Sequence, residues 1–217
     1  MATIPTPLSP ELFDYVVAHG STPDDVQSAL IAETKALGDP AGLQISPDEG
    51  AFLTLFTRII GATRAIEVGT FTGYSALCIT RGMGPSGRMT CCDVSEEWTA
   101  IARRHWEKAG VSDQIELKIG PGVDTLRALP LEPVYDLAFI DADKSSYPQY
   151  WEELVPRVKS GGVILVDNAL LHGGVVEPDP SAGAAAVTVL NDRAIADDRV
   201  DAALITIADG IMLARKR

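Results

Sequence analysis

Five short apolar runs, each followed by an amphipathic stretch, govern what this chain can become. RAIEV (64–68), RMTCCDV (88–94), QIELKIG (114–120), YDLAFI (135–140) and GGVILVD (161–167) have the length of buried strands. Between them lie helix-like segments such as SALCITRGM, SEEWTAIARRHWEKAG, VDTLRAL and SYPQYWEELVPRV. Strands that alternate with helices run parallel, because each crossover needs a helix to return the chain. After a Gly/Pro-rich loop and a helix over AAAVTVLNDRAIAD, the last stretch, VDAALITIADGIMLARK, holds two runs around Ala208-Asp209-Gly210. They lie too close for a crossover, so they form a hairpin and one strand is antiparallel. The expected fold is α/β: a doubly wound, Rossmann-like, mostly parallel seven-stranded sheet with a C-terminal antiparallel hairpin.

Upstream, the chain reads as helical. Pro10-Glu11-Leu12-Phe13 opens one helix, and STPDDVQSALIAETKAL another, with Ser21 or Thr22 as cap and Pro23 in the first turn. In SPDEGAFLTLFTRIIGA, Ser46 caps, Pro47 starts the helix, Glu49 completes a capping box and Gly61 lies near the end. The expectation is one domain over 1–217, with a helical cap (1–62) on a sheet core (63–217); 217 residues, 46% hydrophobic, suffice for one core. No run approaches the roughly 20 apolar residues of a membrane span. The start MATIPTPLSPEL has no signal-peptide pattern, and the three cysteines form neither a disulfide framework nor a zinc site, so the expected setting is cytoplasmic, without membrane partners. A net charge of −12 argues against nucleic acid as partner.

Ligands of an open parallel sheet bind outside the carboxyl ends of its strands, so chemistry is sought there. The first strand ends IEVGTFTGYSAL, with Glu67 before Gly69 and Gly73. The spacing is E-x-G-x-x-x-G rather than G-x-G-x-x-G. An acid beside the turn repels a phosphate and suits an ammonium or sulfonium cation, which S-adenosylmethionine carries. Asp93, ending the second strand, is placed to accept ribose hydroxyls. Gly120-Pro121-Gly122 ends the third as a tight turn against which adenine can lie. Asp141 ends the fourth strand, and Asp167 and Asn168 the fifth. Two carboxylates and an amide oxygen are hard donors, so the expected ion is Mg²⁺ or another divalent cation such as Mn²⁺ or Ca²⁺. Lys144, three residues after Asp141, can share a face with it on a first helical turn and serve as the base for a hydroxyl proton.

At EVGTFTGYSAL, CDVSEEW, FIDADK and VDN the chain resembles the cation-dependent small-molecule O-methyltransferases, the caffeoyl-CoA and catechol O-methyltransferase group, and its bacterial members most of all. The C-terminal hairpin also fits the class I methyltransferase fold. The resemblance implies metal ligation by Asp141, Asp167 and Asn168, with Asp141 near the reacting centre and Lys144 as base. It implies donor contacts from Glu67, Gly69, Thr70, Ser75, Asp93, Gly122 and Asp143. It also implies a homodimer, and an acceptor pocket shaped by the N-terminal helices and the loop after VDN. Two departures stand out: Gly122 where relatives often carry alanine, and Leu171-His172 in VDNALLHGG where an aromatic and a small polar residue are usual. His172 is a candidate acceptor contact, and the loop 172–183 the expected seat of specificity.

The expected reaction is methyl transfer from S-adenosylmethionine to a hydroxyl of a vicinal-dihydroxy aromatic small molecule, by phenolate attack on the sulfonium methyl. The alternative is a tRNA hydroxyuridine O-methyltransferase of the same family. A nicotinamide oxidoreductase lacks its glycine motif here, and a non-catalytic domain would have no use for Asp141, Lys144, Asp167 and Asn168. His19 and His105 read as surface residues, and Trp98, Trp106 and Trp151 as packing.

Overall fold

The computed structural model describes residues 6–217. Seven strands form one sheet: β1 (Arg64–Val68), β2 (Arg88–Asp93), β3 (Ile115–Ile119), β4 (Tyr135–Ile140), β5 (Val158–Val166), β6 (Val200–Ile205) and β7 (Ile211–Lys216). Their order is β3-β2-β1-β4-β5-β7-β6. The first five pair in parallel, and β7 enters antiparallel to both β5 and β6, as the hairpin requires. The fifth strand begins earlier than the run at 161 indicates, and a shift in register against β4 absorbs the extra residues.

Side chains alternate between the two faces, because successive strand residues point opposite ways. Ala65, Leu137, Phe139, Val163 and Leu165 join one core, with Leu30, Leu53 and Leu77 from helices on that side. Ile66, Val68, Ala138, Ile140, Ile164 and Val166 join the other, with Leu126, Trp151 and Leu190. The first side is covered by α2 (Asp25–Lys35), α3 (Pro47–Ile59), α4 (Tyr74–Met83) and α5 (Glu96–Lys108), the second by α6 (Gly122–Ala128), α7 (Tyr147–Leu154) and α8 (Ala182–Ala196). Both faces of the central strands are therefore dry, which is why they read as unbroken apolar runs. The remaining helix, α1 (Pro10–Ala18), buries no residue.

Two capping expectations are corrected. Helix α2 starts at Asp25, and Asp24 rather than Ser21 or Thr22 is its cap, leaving Pro23 outside. The Asp24 carboxylate accepts from the Gln27 N–H at 3.0 Å, and Gln27 Oε1 accepts from the Asp24 N–H at 3.1 Å. Asp24 also ion-pairs with Arg81 of α4, a second attraction that local sequence does not show. In α3, Ser46 occupies the cap position but makes no side-chain cap, and Glu49 closes no box. Glu49 is 1% exposed and turned inward, where it meets the site described next. Among the described residues, no helix is long and apolar enough to cross a membrane.

Candidate active site

The carboxyl ends of the strands are tied together one residue beyond the sheet. The Gly69 N–H donates to the Cys92 carbonyl, Gly120 to Asp93, Asp141 to Val68 and Asp167 to Ile140, each at 2.9 Å. Continuing the ladder this way brings Gly69, Asp93, Asp141 and Asp167 to one edge. Gly69 must be glycine there. Its φ is +91°, and a Cβ would lie 1.8 Å from the Asp141 carbonyl oxygen.

Over this edge opens a cavity of about 900 Å³. That is near the upper end for small-molecule sites, enough for more than one ligand. Gly69, Thr70, Ser75, Asp93, Gly122, Asp141, Asp143, Lys144, Asp167, Asn168 and His172 all line it. Glu67 does not. It lies fully buried one layer behind the wall, where its Oε2 accepts from the Ser75 hydroxyl at 2.9 Å and its Oε1 has no partner. Burial pushes its carboxyl up to about 7, against the pull of Ser75. A half-satisfied buried acid is costly unless a further partner completes it.

Asp93 lines the cavity and also makes three bonds to the backbone. Its Oδ2 accepts from the Thr70 and Phe71 N–H groups at 2.8 and 2.7 Å, and its Oδ1 from the Ser95 N–H at 2.8 Å. It thus fixes the loop after β1 while Ser95, accepting from Trp98 N–H, caps α5. Asp143 Oδ1 accepts from the Tyr150 hydroxyl at 2.5 Å. Burial works against its charge, but the hydroxyls of Ser146, Tyr150 and Ser145 hold its carboxyl below the usual range. Tyr150 also explains Gly122: a Cβ there would meet the Tyr150 ring and hydroxyl at 2.9 and 2.8 Å and Val68 at 2.9 Å. Here tyrosine fills the space that an alanine methyl would take.

At the opposite end, Lys144 begins a short 3-10 turn ahead of α7 rather than an α-helix. Its Nζ donates to Asp141 Oδ1 at 2.9 Å and to the Tyr147 hydroxyl at 2.6 Å, and Tyr147 donates to the Asp167 carbonyl at 3.2 Å. Asp167, 3% exposed, is pushed upward by burial and by the Asp141 charge. Asn168 has a φ of +55°, and its Nδ2 donates to Asp209 Oδ2 at 3.3 Å, which leaves its amide oxygen free. Among the described residues, no three His, Cys, Asp or Glu side chains are grouped to hold a metal by themselves. Two carboxylates that repel each other and one free amide oxygen nevertheless fit a hard dication.

Three site features escape the sequence reading. Asp209, in the β6–β7 turn, accepts from Asn168 and from the His172 N–H at 2.8 Å, so the C-terminal hairpin holds the loop after β5. Glu49 borders the cavity. Trp98, expected as packing, also lines it, edge-on to Phe71 with ring centroids 4.9 Å apart. Conversely, His105 is no surface residue: it is 1% exposed and bonded to Glu33 at 2.8 Å. His172 is exposed at the cavity rim.

A seven-stranded sheet with an antiparallel C-terminal hairpin, and a cavity over the β1 and β2 ends with a buried acid behind it, define a class I methyltransferase. The sequence pattern of the O-methyltransferase family matches residues 21–217, and the chain belongs to that family. It is 38% identical over 210 residues to a probable caffeoyl-CoA O-methyltransferase 2 of Dictyostelium discoideum, covering 94% of this chain and 91% of that one. Among solved structures it is similar to cofactor-bound Rv0187 from MTB, with a TM-score of 0.89, 31% identity, and coverage of 98% and 99%. It is likewise similar to the O-methyltransferase TomG of Streptomyces achromogenes in complex with SAM, with a TM-score of 0.87, 28% identity, and coverage of 95% and 96%. The protein is an S-adenosylmethionine-dependent O-methyltransferase.

Proposed function

We propose that the protein methylates one hydroxyl of a vicinal-dihydroxy aromatic small molecule, with a divalent cation held by Asp141, Asp167 and Asn168. The observation that carries this reading is the convergence of these three oxygen-bearing side chains with Lys144 at one end of the cavity. Bound there, S-adenosylmethionine supplies a methyl group on cationic sulfur, and a dication supplies the charge that makes a bound hydroxyl acidic near neutral pH.

The remaining chemistry falls to the chain. Glu67, through Ser75, balances the donor's ammonium, and Asp93 takes the ribose hydroxyls. Gly69, Thr70, Gly122 and Asp143 shape the rest of that half of the cavity. Lys144, oriented by Asp141 and Tyr147, receives the acceptor's proton at Nζ in its neutral form. The acceptor oxygen then takes the methyl group as the carbon–sulfur bond breaks, so holding the two in line is most of the catalysis. The test is product mass after incubation with S-adenosylmethionine and caffeic acid, with Mg²⁺ or with EDTA. One added methyl only with Mg²⁺ is expected. Equal product in EDTA removes the metal from this reading.

Two predictions concern the donor half. Asp93→Ala should raise the donor KM by about tenfold or more and leave kcat less affected, because a charged hydrogen-bonding group is lost and the Thr70–Phe71 loop is released. An unchanged donor KM reassigns Asp93 to loop support alone. Donor binding should also depend on pH through Glu67. Below about pH 7 its carboxyl is neutral and must give up a proton before it can balance an ammonium. Calorimetric affinity for S-adenosylhomocysteine should therefore weaken as pH falls from 7 toward 5, by up to about tenfold per unit, and level off above 8. A flat profile in the wild type excludes Glu67.

A further inference from the structure

Glu49 sits in the first turn of α3, where a capping role was open to it, yet it is 1% exposed and borders the cavity. Its Oε1 has no hydrogen-bond partner. A buried carboxyl left unpaired costs free energy, and such a group calls for a partner. Burial first, and then the charges of Asp167 and Asp141, push its carboxyl upward, which sets it beside the acceptor end of the cavity that it borders.

On the reading that the acceptor carries two neighbouring hydroxyls, we propose that Glu49 is a specificity-determining residue: it binds the hydroxyl that is not methylated and so decides which oxygen takes the methyl. The two hydroxyls have different needs. One gives its proton to Lys144. The other keeps its proton and needs an acceptor for it. Most carboxylates at this end are already engaged: Asp141 by Lys144 at 2.9 Å, Asp167 by the Asn168 N–H at 2.6 Å, and Asp209 by Asn168 and His172. Of these four, Glu49 alone accepts no hydrogen bond from the protein, and its buried Oε1 is without a partner; the second oxygens of Asp141 and Asp167 are those left for the cation. A site built to bond a hydroxyl discriminates strongly, because the wrong pose leaves a buried polar group unpaired.

The test uses caffeic acid, whose two hydroxyls give distinguishable products, with the full-length wild type, Glu49→Met and Glu49→Gln. Methionine keeps the length and removes the hydrogen bond; glutamine keeps an acceptor oxygen. The wild type should favour one isomer by about tenfold. Glu49→Met should raise the acceptor KM by about tenfold and carry the isomer ratio toward unity, with Glu49→Gln restoring most of both. Affinity for S-adenosylhomocysteine should stay within about twofold in both variants, reporting an intact donor half. An even isomer mixture from the wild type overturns the inference, as does Glu49→Met with the wild-type ratio and KM. No methyl transfer to caffeic acid by the wild type instead overturns the acceptor reading on which it rests.

Discussion

Asp141→Ala should lower kcat/KM by about 10³ in the presence of Mg²⁺ and leave the residual rate insensitive to EDTA. Loss of an outer hydrogen-bonding group around a metal typically costs about 10–100-fold, and a charged ligand itself should cost more. Asp141 Oδ1 also anchors Lys144 Nζ at 2.9 Å, so on the proposed mechanism the substitution removes a ligand and frees the base together. The fold should not suffer. Asp141 helps push the Asp167 carboxyl upward, and its removal relieves that repulsion, so the melting temperature at neutral pH should hold or rise. Full, metal-dependent turnover by the variant would assign the cation elsewhere; a collapsed melting temperature would make Asp141 a structural residue.

Lys144→Ala should lower kcat by about 10² or more with the donor affinity unchanged, the loss expected for a general base. Lys144 is held on two sides, by Asp141 and by the buried Tyr147 hydroxyl at 2.6 Å, and lines the cavity. Such double anchoring is what a group needs if it must meet a proton at a fixed place. A steady-state assay at saturating acceptor and Mg²⁺ distinguishes the two roles open to Lys144. A fall in kcat marks the base. A higher acceptor KM with kcat intact marks a binding contact.

The strands and the residues at their ends were legible because both are local properties, whereas the order of the strands in the sheet was not. An apolar run of five or six residues that stops at Asp or Glu-x-Gly marks a strand end wherever the sheet sits. Parallel pairing then carries every such end to one edge, so Asp93, Asp141 and Asp167 could be placed together without a contact map. The helix starts were less legible. Ser46 and Glu49 satisfy the capping-box spacing, yet whether a glutamate turns back to its own helix or inward to a cavity depends on what lies behind the helix. His105 and Glu33 stand 72 residues apart in the chain, and no periodicity of α5 alone announces that its histidine is buried.

By itself, then, the sequence determined the doubly wound sheet, the hairpin and the edge where the chemistry lies, because these follow from periodicity, chain reversal and strand direction. Only the tertiary structure decided three further matters: that Glu67 sits behind the wall with Ser75 in front of it, that Asp209 reaches across 41 and 37 residues to hold Asn168 and His172, and that Glu49 turns inward to border the cavity. Each is a side-chain direction set by packing against elements remote in the chain, and such directions carry no signature in the local order of residues.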